Sequence, residues 1–147
     1  MDLAGHCFDL LDFLLGRIAE VSGSAANTGG AYRAEDVTAA AFRFESGAVG
    51  TGVWNFNAST ESDRIIITGD AGQIEMRVFK DADVIVRRDG QETVHPFRNP
   101  PHVHQPLIQT IVDELGGRGQ CESTAESGAR ASWAMDRCLE TYRRRTR

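Results

Sequence analysis

Residues 36–56 read DVTAAAFRFESGAVGTGVWNF. Thr38, Ala40, Phe42 and Phe44 occupy every second position, which is the period of a strand with one buried face. Glu45-Ser46-Gly47 breaks the alternation with turn-forming residues, and Ala48 to Phe56 resumes it with Trp54 and Phe56 on one side. Two alternating runs joined by a short loop that contains glycine predict an antiparallel hairpin.

The pattern extends outward from this hairpin. Arg64 to Thr68 reads as a strand, Gly69 to Gly72 as a turn, and Gln73 to Phe79 as the returning strand. In that strand Ile74, Met76 and Val78 share one face and Gln73, Glu75 and Arg77 the other, which predicts one buried and one wet face. Asp83 to Arg87 and Thr93 to Phe97 form two further strands around a turn at Asp89-Gly90. Upstream, Arg17 to Ala25 alternates moderately and runs into the loop Asn27-Thr28-Gly29-Gly30. Before it lies a helix from Asp2 to Leu15, stopped by Gly16. After the strands, Val103, Leu107, Ile108, Ile111, Val112 and Leu115 recur at helical spacing and Gly116-Gly117 ends that helix. Ser123-Thr124-Ala125-Glu126 has the spacing of a capping box with Ser123 as N-cap. It opens a last helix through Trp133, Met135, Cys138 and Tyr142. One helix, about seven strands and two helices imply an α+β domain with an open, predominantly antiparallel sheet and helices on one face. The 147 residues suit a single domain over 1–147.

Composition narrows the function classes. The chain carries 16 Lys and Arg against 21 Asp and Glu, a formal charge of −5, which argues against a nucleic-acid partner. The basic tail Arg143 to Arg147 complements the negative end of a helix dipole. Cys7, Cys121 and Cys138 form neither CxxC nor an even framework, which suits a reduced, cytoplasmic setting. No basic-then-apolar leader opens the chain and no apolar run approaches the roughly 18 residues of a membrane span. There is no strand–GxGxxG–helix and no GxxxxGK, so no phosphate cradle is legible.

Three groups of residues are chemically suggestive. Asp2, His6 and Asp9, spaced four and three apart, share one face of the first helix. A carboxylate beside an imidazole fixes its tautomer and raises its pKa, and such a histidine shuttles a proton to or from a hydroxyl. The same spacing also suits a solvated polar face. His95, His102 and His104 lie among prolines and offer two metal ligands at His102-x-His104, or simply a rigid loop; with His6 or Asp2 they would make a zinc site. Trp54, Phe56, Phe42 and Phe44 suit stacking on a sugar ring or the packed face of the sheet.

The run DLAGHCFD (2–9) resembles the D-x-x-x-H-x-x-D helix of the Gfo/Idh/MocA oxidoreductases, the family of glucose–fructose oxidoreductase and inositol dehydrogenase. FRFESGAVGTGVW (42–54) is similar to its F-x-F-x-N/S-G-x-x-G hairpin, and IIITGDAGQIEM (65–76) to its I-x-G-x-x-G-x-I hairpin. GRGQCESTAESGARASWAMD (117–136) is similar to its closing helix. The four motifs occur in the family's order along almost the whole chain. The sequence departs from the common D-x-G-x-H form by placing Ala4 before Gly5.

The resemblance implies the C-terminal, substrate-side domain of an NAD- or NADP-dependent dehydrogenase of sugars or polyols. The Rossmann domain, with the cofactor site and the lysine of an E-K-P motif, is then absent from this chain. His6 matches the histidine that exchanges the proton of the reacting hydroxyl. Asp2 matches the acidic residue that contacts substrate and orients it, and Asp9 matches a trailing acidic residue of substrate-binding or structural role. The open sheet commonly forms the family's oligomer interface, so a homodimer or higher homo-oligomer is expected. Neither a metal nor a cofactor is expected on this chain alone, which should be inactive. The alternative is a stand-alone, non-catalytic module for dimerisation or small-ligand binding.

Overall fold

The computed structural model describes residues 1–146, and Arg147, the end of the basic tail, lies outside the described residues. Three helices and seven strands follow in the order α1 (Ala4–Leu15), β1 (Ile18–Ala26), β2 (Val37–Phe44), β3 (Val49–Asn55), β4 (Ile65–Gly69), β5 (Gly72–Met76), β6 (Val84–Arg88), β7 (Gln91–His95), α2 (Gln105–Leu115) and α3 (Ala125–Arg145). The fold is α+β and every strand pairing is antiparallel. The strands fall into two sheets, β1-β2-β3 and β4-β5-β6-β7. The chain divides into two compact units, Met1–Ser59 with Ser123–Arg147, and Thr60–Glu122.

In the first unit the quoted hairpin forms as its alternation predicts. Phe42 faces Gly50 and Ala40 faces Gly52 across β2 and β3. Gly47 takes a positive φ of 90° and donates its N–H to Phe44 O at 3.0 Å, closing the three-residue loop. Thr38, Ala40, Phe42 and Phe44 are all buried. Phe8 of α1 packs on this face, its ring 5.6 Å from Phe42 and 5.3 Å from Trp54. Burial of each such ring is worth roughly 1.5–3 kcal/mol. Phe56 lies past the end of β3 and is exposed, so it does not join Trp54 in the packed set.

Glycines on the inner face make room for these rings. A Cβ at Gly50 would lie 2.4 Å from Phe42 Cε2, and one at Gly52 would lie 2.6 Å from the indole of Trp54. Gly23 of β1 lets α3 approach the sheet, where a Cβ would sit 2.5 Å from the Cys138 carbonyl oxygen. Cys138 is fully buried, and burial pushes its thiol up to about 11, so it is a core residue.

Two helix starts differ from the sequence reading. Asp2 precedes α1, in a turn closed by the Ala4 N–H to Met1 O at 3.2 Å. Helix α3 is capped by Thr124 rather than Ser123. Thr124 is extended, its Oγ1 accepts from Ser127 N at 3.2 Å, and Ser127 Oγ accepts from Thr124 N at 3.0 Å. The serine at N3 closes the box, and Glu126 instead lies 3.6 Å from Arg130. The stop of α1 is as read: Gly16 has φ 86° and donates to Asp12 O at 3.0 Å.

In the second unit, hairpin β6–β7 turns through Asp89 (φ 52°) and Gly90 (φ 73°), the two positive φ values of a type I′ turn. The simple apolar-in, polar-out alternation of β5 is not kept. Ile74 is exposed, while Glu75 is half-buried under Arg87 at 2.8 Å and Arg64 at 3.3 Å. Ion pairing, rather than a second layer, covers that face of β5. Helix α2 likewise buries none of its residues, so packing of helices on a sheet holds for α1 and α3. Polar contacts at its C-terminal end hold it, with Arg118 donating to Asp113 and the Cys121 N–H to Glu114.

Gly23→Val drives a branched side chain into the α3 backbone. It should lower stability by about 1–3 kcal/mol in urea unfolding. Gly5→Ala, whose Cβ meets only the flexible Met135 thioether at 3.2 Å, should cost far less.

Candidate active site

The site is built on α1, a helix with one face in the core. Ala4, Cys7, Phe8 and Leu11 are buried, so the residues between them turn outward. Asp2 and His6 are exposed and Asp9 is half-buried. His6 precedes Phe8 by two positions, about 200° around the helix, so seating Phe8 on the sheet directs the imidazole to solvent.

Helix α3 flanks α1, with Met135 beside Gly5. At the other end of the contact Arg130 forks onto Asp12, Nη2 to Oδ2 at 2.6 Å and Nε to Oδ2 at 2.9 Å. Asp12 is only 7% exposed. Its hydrogen bonds raise the Arg130 pKa, burial opposes this, and the charges of Asp12, Glu126 and Asp9 add to the rise. Asp9 therefore lies within the field of Arg130.

The loop between β1 and β2 borders the start of α1, with Glu35 Oε1 2.6 Å from the Met1 amino nitrogen. The loop is held by two side chains. Asn27 accepts the Gly30 N–H at 2.8 Å and donates to Ala34 O at 2.8 Å. Asp36, 3% exposed, accepts the N–H groups of Thr28 at 2.8 Å and Gly29 at 2.7 Å. Burial alone would raise the Asp36 pKa, but these N–H bonds, with the Asn57 amide and the Thr28 hydroxyl, bring it down to about 2.

The other suggestive residues do not join this site. His95 ends β7, His102 and His104 precede α2, and all three are exposed in the second unit. Among the described residues no three His, Cys, Asp or Glu side chains gather as a metal site. Phe42, Phe44 and Trp54 are core or half-buried packing. No disulfide joins Cys7, Cys121 and Cys138, and no helix among the described residues is long and apolar enough to cross a membrane.

Neither Asp12–Arg130 nor the Asp36 clasp is among the residues singled out from sequence. The available signal for Asp12 is a second carboxylate inside the apolar run DLLDFLLG. For Asp36 it is an aspartate just after a GG-containing loop.

The fold is an α+β domain in which Asp2 and His6 are exposed and Asp9 half-buried, beside an antiparallel sheet. Residues 1–75 match the GFO/IDH/MocA C-terminal domain, and the chain belongs to that family. Over 135 residues it is 27% identical to Oxidoreductase P35 of Formosa agariphila, covering 92% of this chain and 41% of that protein. The chain thus spans about two-fifths of that relative's length. The WlbA dehydrogenase of Bordetella pertussis, solved with NADH and UDP-GlcNAcA, shares the fold at a TM-score of 0.73 and 21% identity, over 97% of this chain and 43% of its own. The aldose–aldose oxidoreductase of Caulobacter crescentus, solved with glycerol, does so at 0.79 and 14%, over 96% of this chain and 44% of its own.

The Asp36 shift has a definite sign. Its depressed folded-state pKa gives stability that is present above the ordinary value of 3.8 and is lost as pH falls through about 2. Asp36→Asn should be less stable than wild type at neutral pH and lose less on acidification between about pH 4 and 2, by urea unfolding across that range.

Proposed function

We propose that this chain is the substrate-side domain of an NAD(P)-dependent oxidoreductase that acts on a CH–OH group of a sugar or polyol. The observation that carries the reading is the exposed His6 between Asp2 and Asp9, on the helix that begins the family match. The ligands solved with two structural neighbours, a nucleotide sugar acid and glycerol, support a polyhydroxylated substrate.

The residues of this chain do not form a dinucleotide cradle. Among the described residues each strand joins its sheet neighbour in antiparallel fashion, and no glycine-rich turn runs from a parallel strand into a helix. NAD or NADP is held elsewhere in the full-length enzyme in this reading, and the isolated chain is inactive. The chain's own share is binding and proton transfer. His6 accepts the hydroxyl proton, Asp2 orients the imidazole and contacts the substrate, and Asp9 supports it from the next turn.

A homo-oligomer formed through the outer face of β1-β2-β3 completes the proposal. That face carries Val49 and Val53, 78% and 70% exposed, beside Ala39 and Ala41, with the Arg43–Glu20 ion pair on the same face.

In the full-length enzyme, His6→Ala should lower kcat by about two to four orders of magnitude with a smaller change in KM. Steady-state kinetics showing an unchanged kcat on the true substrate would remove His6 from this role. Light scattering should give a multiple of the chain mass for wild type at tens of micromolar. Val53→Glu should reduce it to the monomer value.

A further inference from the structure

Helix α1 buries four apolar or small residues and one charge, Asp12. A buried carboxylate is stable only where it is matched. Arg130 supplies the match through the Nε–Nη2 edge of its guanidinium, Nε to Oδ1 at 3.2 Å and to Oδ2 at 2.9 Å, and Nη2 to Oδ2 at 2.6 Å. Its remaining Nη1 lies 3.6 Å from Glu126, one turn earlier on α3. Asp9 is three residues after His6 and three before Asp12, so it stands on α1 between the imidazole and the ion pair. The Arg130 charge reaches it as well.

We propose that Arg130 is a positioning residue for His6: by committing its fork to Asp12 it fixes α1 against α3 and leaves Asp9 to act on the histidine. Its functional meaning rests on the reading of His6 as proton carrier, while the coupling itself is measured without catalysis.

Of the charged groups on these elements, the turn before α1 contributes Asp2, α1 itself Asp9 and Asp12, and α3 Arg130 and Glu126. The β1–β2 loop adds Glu35, beside Met1. The sheet offers α1 the rings of Phe42 and Trp54, with no charge. Loss of the Arg130 charge leaves Asp12 unmatched and makes this surround more negative, which favours the imidazolium. Loss of the Asp12 charge instead releases Arg130 toward Asp9, which disfavours it.

The test is an NMR pH titration of the His6 imidazole in the whole 147-residue chain. Arg130→Met should raise the His6 midpoint by about 0.3–0.5 pH units, and Asp12→Asn should lower it by a similar amount. A change that only loosened packing would lower the melting temperature in both variants without opposed shifts. The paired variant Asp12→Leu/Arg130→Met removes both charges and keeps an apolar contact, so it serves if Arg130→Met alone fails to fold. In it the midpoint should return close to wild type. Shifts of the same sign in the single variants, or a folded Asp12→Asn with an unmoved midpoint, would overturn the proposal. Opposed shifts combined with an undiminished kcat for His6→Ala in the full-length enzyme would uphold the coupling and refute the proton-carrier reading.

Discussion

The seat of Phe8 on the first sheet is the constraint on which the site depends. Its ring meets Phe42 edge-on and Trp54 at a tilt, and it is fully buried. That seat exists because Gly50 and Gly52 leave the inner face of β3 without side chains where the Phe42 and Trp54 rings lie. The residues that seat Phe8 and the exposure of His6 are thus linked by helix geometry. Phe8 and His6 point about 200° apart on α1, and only the Phe8 side is covered by the sheet. Packing energy spent on the phenylalanine therefore also sets the exposure of the imidazole.

The contact between α1 and α3 uses two kinds of chemistry. At one end Ala4 and Ala134 are fully buried and Gly5 meets Met135, so the backbones come close. Small residues permit approach but leave helix rotation and sliding weakly specified. At the other end the Asp12–Arg130 fork is directional, because a planar guanidinium donates to a carboxylate in few orientations. Apolar contact supplies adhesion and the ion pair supplies register.

Local signals made the strands legible. The hairpin over 36–56 carries its period, its turn triplet and its glycine within 21 consecutive positions, and the structure keeps the pairing they imply. The start of α3 was harder, since Ser123 and Thr124 are adjacent hydroxyl residues and only backbone extension at Thr124 decides between them. The polarity of β5 misled because Glu75 is sheltered by arginines from β4 and β6, which alternation within one strand does not report. His6 and its flanking aspartates stand out in the sequence through their spacing and the family pattern, as a candidate site. Arg130 does not, because its partner lies 118 positions away and nothing local distinguishes it from the other arginines of α3.

Charge disposition in the first unit sharpens this division. Its two buried carboxylates are both satisfied inside the fold, Asp12 by a guanidinium and Asp36 by backbone N–H groups. Such groups hold structure and are closed to a ligand, since breaking their partnerships would leave a charge stranded in low dielectric. The stripe of Asp2, His6 and Asp9 is different in kind. It lies at the solvent boundary of a helix whose opposite face is fixed by Phe8, next to a loop whose backbone is pinned by Asn27 and Asp36. Rigid support with polar groups turned outward is what positioned proton transfer requires, because a catalytic group must be held in place before the substrate arrives. In this fold the buried charges Asp12 and Asp36 do the holding, while Asp2 and His6 stay exposed.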